Sequence, residues 1–191
     1  MHFFIVDNGS VYTENIVNII TDGQHTYNLQ SYDINNQLVP SKADCIILSG
    51  GIKQNYEQEY QLIQTTSVPI FGICIGMQLI VKAFGGTIRE LTKQVYTDTK
   101  CVQLNEVGQS IFGKKQLIVH EKHRYVIDTY EQTGLQILGE SDDGIEIIYH
   151  PSKPIIGAQF HPEVTVSPDS NDIFWKFIQQ VTGSKELIYA Q

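Results

Sequence analysis

Residues 69–78 read PIFGICIGMQ, an apolar run that ends on a cysteine, Cys74, framed by Gly72 and Gly76. Beyond it Met77, Ile80, Val81 and Phe84 recur at helical spacing, so one face of the following segment is apolar. The stretch therefore reads as a buried strand, a sharp turn and a helix. Glycines at such a turn let two backbones approach closely, and the residue between them stands at the helix N-terminus, the arrangement of a nucleophile elbow. The positive end of the helix favours thiolate over thiol, and thiolate is the reactive form. Gly-x-Cys-x-Gly taken alone fits a buried, inert cysteine equally well. The elbow reading needs a base.

Working outward, the first half of the chain alternates β-rich runs with helical patterns. FFIVD reads as a strand, about Tyr12 to Thr21 as a helix, TYNLQSY and DCIILSG as strands, and about Asn55 to Gln64 as a helix. That alternation is the signature of parallel strands joined by crossover helices. After Gly85-Gly86 come short alternating segments, TIREL, KCVQL, QLIVH, LQILGE, IEIIYH and PIIGAQF, separated by turn residues such as DDG and HPSKP. These predict further, partly antiparallel strands beside the main sheet. SNDIFWKFIQQV closes the pattern as a helix capped by Ser170 or Asn171, with Ile173, Phe174, Phe177, Ile178 and Val181 as its apolar stripe. The expected fold is α/β: a doubly wound, mostly parallel central sheet with flanking helices and additional antiparallel strands, in one domain over residues 1–191.

The 191 residues carry 13 Lys+Arg against 21 Asp+Glu, a net charge of −8, with no dense basic run. Phosphate backbones and anionic lipid surfaces would be repelled, which argues against nucleic acid or membrane as partner. No stretch reaches the ~18 consecutive apolar residues of a membrane span. MHFFIVDNGS reads as a first strand and not as a signal peptide, so a cytoplasmic location is expected. Cys45, Cys74 and Cys101 are widely spaced and without CxxC pairs, as free thiols in a reducing compartment would be.

The base is sought among six histidines. His161 lies in GAQFHPEV, where an apolar strand is interrupted by His161, Pro162 and Glu163. In an extended segment residues two apart point the same way, so Glu163 can lie beside His161 and hold its ring. Nucleophile, base and orienting carboxylate then form a triad of Cys74, His161 and Glu163. DCIILSGGI adds a strand ending at Ser49-Gly50-Gly51. The backbone N–H of Gly51, with that of Ile75 just after the cysteine, would supply an oxyanion hole.

Together these pieces resemble the class I (triad) glutamine amidotransferases. GICIGMQL is similar to that family's cysteine motif, GAQFHPE to its histidine and glutamate motif and LSGG to its oxyanion strand, all in the family's order over nearly the whole chain. Within the family, VDNGSVYT, GMQLIVKAFGG and HPEV followed by NDIFWKF look most like the glutaminase subunits of GMP synthases. HEKHRYVI, with His123, and TENIV are closer to the glutaminases of anthranilate and aminodeoxychorismate synthases. The resemblance implies a flavodoxin-like core and hydrolysis of glutamine through a cysteine thioester, with no cofactor for this half-reaction. It gives Gln78 a part in binding glutamine and lets His123 contact a partner or the glutamine side of the pocket. It also implies a separate ATP-dependent synthase subunit to consume the ammonia, of the ATP pyrophosphatase type that aminates XMP if the GMP synthase likeness holds. The alternatives are the glutaminase component of an anthranilate or aminodeoxychorismate synthase and a stand-alone hydrolase of γ-glutamyl amides or peptides.

Two stretches imitate nucleotide sites. GQSIFGKK, Gly108 to Lys115, nearly spells GxxxxGK[ST], but Lys115 replaces the hydroxyl that would hold magnesium. SGGIKQ has Lys53 and Gln54 where the SGGxDS loop of ATP pyrophosphatases has Asp and Ser. His120, His123 and His150 show no Cys or acidic partners at ligand spacing, so no metal site is expected among them.

Overall fold

The computed structural model describes residues 1–31, 38–52, 56–166 and 169–183, with backbone alone for 93–98. Lys53, Gln54 and Tyr32, and with them the end of SGGIKQ and of TYNLQSY, lie outside the described residues.

The parallel half of the sheet follows the hydrophobic runs. β1 (His2–Asn8), β2 (Thr26–Ser31), β3 (Cys45–Gly51) and β4 (Ile70–Ile73) alternate with α1 (Thr13–Asp22), α2 (Glu57–Thr65) and, after β4, α3 (Ile75–Ala83). A strand buried on both faces must be apolar on both, and β3 shows it. Cys45 and Ile47 join a core with Ile16 and Ile20 of α1, while Ile46 and Leu48 join another with Leu62 and Ile63 of α2 and Met77 and Ile80 of α3. Helices therefore cover both faces, as the doubly wound expectation required.

The remaining strands are β5 (Thr87–Leu104), β6 (Gln116–Thr129), β7 (Gln136–Glu140), β8 (Ile145–Tyr149) and β9 (Ile155–Ala158). Among the described residues they make one sheet of order β2-β1-β3-β4-β9-β8-β7-β5-β6. β2, β1, β3, β4 and β9 pair in parallel, and β8, β7, β5 and β6 continue the same sheet antiparallel. The antiparallel strands extend the main sheet and do not form a layer beside it. TIREL and KCVQL belong to one 18-residue strand, and QLIVH runs on into a 14-residue strand. Register shifts within the β5–β6 pairing break the alternation that would have marked them as continuous.

Between β5 and β6 lies α4 (Glu106–Phe112), formed by much of GQSIFGKK, which the sequence reading did not assign as a helix. Its signals are local: the Asn105 side chain accepts from the Gly108 N–H, and Gly113 ends the helix in the left-handed conformation. Gly108 is thus inside a helix and Gly113 is its C-cap, so no phosphate-cradling loop exists there.

α5 (Ser170–Thr182) seats its five stripe residues in the core, Phe177 stacking on Phe71 of β4 with centroids 4.7 Å apart. Its N-cap position is Asp169, and neither Ser170 nor Asn171 caps it. The Ser170 hydroxyl instead accepts from the Val166 N–H at 3.1 Å.

Candidate active site

The carboxyl ends of β3, β4 and β9 lie side by side, with Leu48 opposite Gly72 and Ile73 opposite Ala158. Ligands of open α/β sheets bind at that end. Cys74 sits there between β4 and α3, with φ 52° and ψ −104°, a conformation an L-residue adopts only under constraint. The constraint is visible. A Cβ on Gly72 would come within 2.6 Å of the Gly76 backbone, and one on Gly76 within 2.2 Å of the Leu48 carbonyl oxygen. Only two glycines let α3 start this close to the strands, and the Cys74 N–H is fixed by the Ala158 carbonyl at 2.7 Å.

His161 follows β9, and its Nδ1 lies 2.8 Å from Glu163 Oε1 with both side chains buried. The contact is not made by strand alternation. Val164 N–H donates to the His161 carbonyl at 3.1 Å, so residues 161–164 form a turn with Pro162 at its second position, and the turn folds Glu163 back onto the ring. Burial opposes charge on the His161 imidazole, but the Glu163 carboxylate and the Cys74 sulfur within hydrogen-bonding reach outweigh it and push the pKa up to about 10. Gly50 lies against both groups: a Cβ there would meet His161 Cε1 at 2.9 Å and Cys74 Cβ at 3.5 Å. Gly51 ends the same strand. Ile75 is the first residue of α3, where the N–H has no intrahelical acceptor.

Gln78 is buried under the elbow. Its amide donates to the Tyr125 carbonyl at 2.9 Å and to Gln159 Oε1 at 3.0 Å, and Gln159 in turn directs its own amide at Cys74 Sγ, 3.6 Å away. Sequence reading missed Gln159 as a neighbour of the sulfur, although strand alternation from His161 places it on the same side. Tyr12 and His120 were missed as well. The Tyr12 ring packs edge-on to His161 at 4.9 Å, and its hydroxyl bonds His120 Nε2 at 3.0 Å. The His120 carbonyl accepts the His161 N–H at 2.8 Å, and the Lys122 carbonyl lies 3.9 Å from Cys74 Sγ. No sequence spacing links β6 to residues 74 and 161.

His150 bonds within its own turn to Ser152, and His123 Nε2 lies 3.3 Å from Glu121 Oε2. The neighbouring Glu146 of β8 is also buried, and burial, reinforced by Glu121, holds its carboxyl well above the usual range. Acidic partners for His123 thus exist, one two residues before it and one from another strand.

A buried cysteine at a strained elbow, held beside an imidazole that carries its own carboxylate, is an arrangement suited to acyl transfer through a thioester. The profile of the family described as Glutamine amidotransferase class-I matches residues 4–181. The chain belongs to that family. This amidotransferase is 32% identical over 186 residues to the GMP synthase [glutamine-hydrolyzing] of Spiroplasma kunkelii and 28% identical over 192 residues to that of Francisella tularensis subsp. novicida, with 94% and 96% of the chain aligned. It spans 36% of the length of each of these relatives. Among solved structures, the amidotransferase matches a Thermoplasma acidophilum protein provisionally described as one subunit of a GMP synthase, with TM-score 0.83, 25% identity and coverage of 96% and 94% of the two chains. A glutamine amidotransferase from Thermotoga maritima shares the fold at TM-score 0.76 and 14% identity, over 96% and 99% of the two chains. No helix among the described residues of the amidotransferase is long and apolar enough to cross a membrane.

Proposed function

We propose that the chain hydrolyses glutamine to glutamate and ammonia as a single glutaminase domain. The observation that carries this reading is the pairing of Cys74, held at φ 52°, with His161, whose Nδ1 meets Glu163 Oε1 at 2.8 Å. Cys74 Sγ attacks the side-chain carboxamide carbon of glutamine, and the C=O electron pair moves onto oxygen. The Gly51 and Ile75 amides receive that oxyanion, a donor of this kind being worth about 3–4 kcal/mol in the transition state. The tetrahedral intermediate collapses, breaking the C–N bond, and His161 gives its proton to the departing nitrogen. His161 then removes a proton from water as it attacks the thioester, which releases glutamate and restores the sulfur. Glu163 orients the ring and stabilises its charged form throughout. Gln78 serves glutamine through the amide chain it anchors: it fixes Gln159, whose amide faces the sulfur where the substrate must lie.

Ammonia set free in water is protonated and lost, so the product must pass to a synthase. The relatives named GMP synthase align with this chain over 36% of their length. A Thermoplasma acidophilum protein described as one subunit of a GMP synthase aligns over 94% of its own length, and on that likeness we assign the remaining work, activation of XMP with ATP and its amination to GMP, to a separate ATP pyrophosphatase subunit, with a cytoplasmic location for both. Ammonia release from glutamine tests the reading, measured for wild type and Cys74→Ala, alone and with the ATP pyrophosphatase subunit, XMP and ATP. Glutamine-dependent GMP formation lost in Cys74→Ala is the expected result. No γ-glutamyl thioester under any of these conditions would remove the enzymatic reading, and ammonia release that no synthase alters would favour the stand-alone hydrolase.

A further inference from the structure

Next to the β6 carbonyls that reach Cys74 and His161, β6 and β8 bring Glu121, His123 and Glu146 together, all three buried. One carboxylate oxygen from each glutamate and one ring nitrogen of His123 lie within 4.8 Å of one another. His123 Nε2 lies 3.3 Å from Glu121 Oε2. Glu146 Oε1 accepts from the Ser141 hydroxyl at 2.8 Å. The other atoms are orphaned: Glu121 Oε1, Glu146 Oε2 and His123 Nδ1 are buried without a hydrogen-bond partner among the described residues. Lys100, on the adjoining β5, is committed to Asp142 and Asp143, 2.8 Å from each.

Two carboxylates taken out of water side by side demand compensation by a cation or a proton, since an unpaired buried charge is among the most costly features a fold can carry. We infer that Glu121, His123 and Glu146 bind a divalent first-row transition-metal ion. One imidazole nitrogen and two carboxylate oxygens suit Zn²⁺ or Mn²⁺ and are too few oxygens for Ca²⁺. Ligand bonds of about 2.0–2.2 Å place donor atoms roughly 3 to 4 Å apart, so the observed spacing closes on an ion by shifts of a few tenths of an ångström to about one. The charge balances, two negative carboxylates and a neutral imidazole against a double positive charge.

The ion would hold the segment of β6 that lines the active site. Glu121 and His123 flank Lys122, whose carbonyl lies 3.9 Å from Cys74 Sγ, and Glu121 follows His120, whose carbonyl takes the His161 N–H at 2.8 Å. Strand alternation puts the ligands on one face of β6 and His120 and Lys122 on the other. The role is positioning, and it stands whether or not glutamine is the substrate.

The test uses the full chain, stripped with a chelator and dialysed against Zn²⁺ or Mn²⁺ at micromolar excess. Metal content by mass spectrometry is expected to reach one equivalent per chain, with the thermal midpoint raised by several degrees. Glu121→Gln with Glu146→Gln should retain less than a tenth of an equivalent and lose the metal-dependent shift. Co²⁺ substitution gives a second readout, since the visible absorption of a His–carboxylate site should appear in wild type and change in His123→Gln. A chain that keeps no ion above background and melts at the same temperature with and without metal overturns the inference, leaving the two glutamates to share a proton. Stoichiometric metal in the double variant overturns it equally, because the ion then sits elsewhere.

Discussion

His161 Nδ1 and Glu163 Oε1 stand 2.8 Å apart inside the protein, joined by a turn and not by a strand. Glu163→Gln keeps the shape and removes the charge that stabilises the imidazolium. The turnover of glutamine should fall by about 10²- to 10⁴-fold, the range of a positioned acid–base group. The pH profile should narrow as well. With Glu163 present the ring keeps its proton up to about 10. Without it the proton is lost at lower pH, so the alkaline limb of kcat moves toward neutrality. An unmoved alkaline limb would contradict the role given to Glu163.

The same raised pKa makes a stability statement. A ring that holds its proton more tightly folded than unfolded contributes stability that is fully present below about 6.5, its ordinary value, and is lost as pH rises through about 10. Urea midpoints for wild type should therefore decline between pH 6.5 and 10 by more than those of Glu163→Gln over the same window.

Cys74 occupies φ 52°, where glycine is at ease and other residues are strained. Strain of this kind costs about 1–3 kcal/mol, against about 0.5–1 kcal/mol for the greater freedom of glycine in the unfolded chain. Cys74→Gly should abolish glutamine hydrolysis while raising the thermal midpoint, and Cys74→Ala should abolish it without that gain. A Cys74→Gly protein that melts below wild type would show that the elbow is not strained.

Two glycines near the elbow should separate folding from chemistry. A methyl at Gly76 meets the Leu48 carbonyl at 2.2 Å, backbone against backbone, and Gly76→Ala should cost about 1–3 kcal/mol or more by overpacking. A methyl at Gly50 meets the edge of the His161 ring at 2.9 Å. Gly50→Ala should lower kcat more than tenfold with a smaller change in urea midpoint, because a ring can tilt where a carbonyl cannot.

Much of this was readable along the chain because the signals were local. β3 and β4 announce themselves as apolar runs, α3 by its periodicity, and Cys74 by the glycines on either side. Glu163 was placed beside His161 for a mistaken reason, since Pro162 makes a turn where an extended strand was read. α4 was overlooked because its seven residues are too few to show a period, and its caps Asn105 and Gly113 were the only local marks. The β5–β6 ribbon was read as fragments because its register shifts interrupt the alternation. Tyr12, at the start of α1, and His120, on a strand that is not a neighbour of β9, reach His161 only through the tertiary fold, and no single stretch of sequence encodes that.

The adjacency of β4 and β9 has a consequence for how the protein comes into being. During synthesis the strand bearing the nucleophile is made well before its neighbour, for Cys74 and Gln159 are 85 positions apart. Until β9 arrives, Ile70–Ile73 has one flank unpaired in the middle of what will become the sheet. A nascent chain at that stage carries a thiol with no base and an apolar edge open to wrong pairings. Chemical competence and protection from aggregation are therefore acquired in the same late step, when Ile155–Ala158 slots in beside β4.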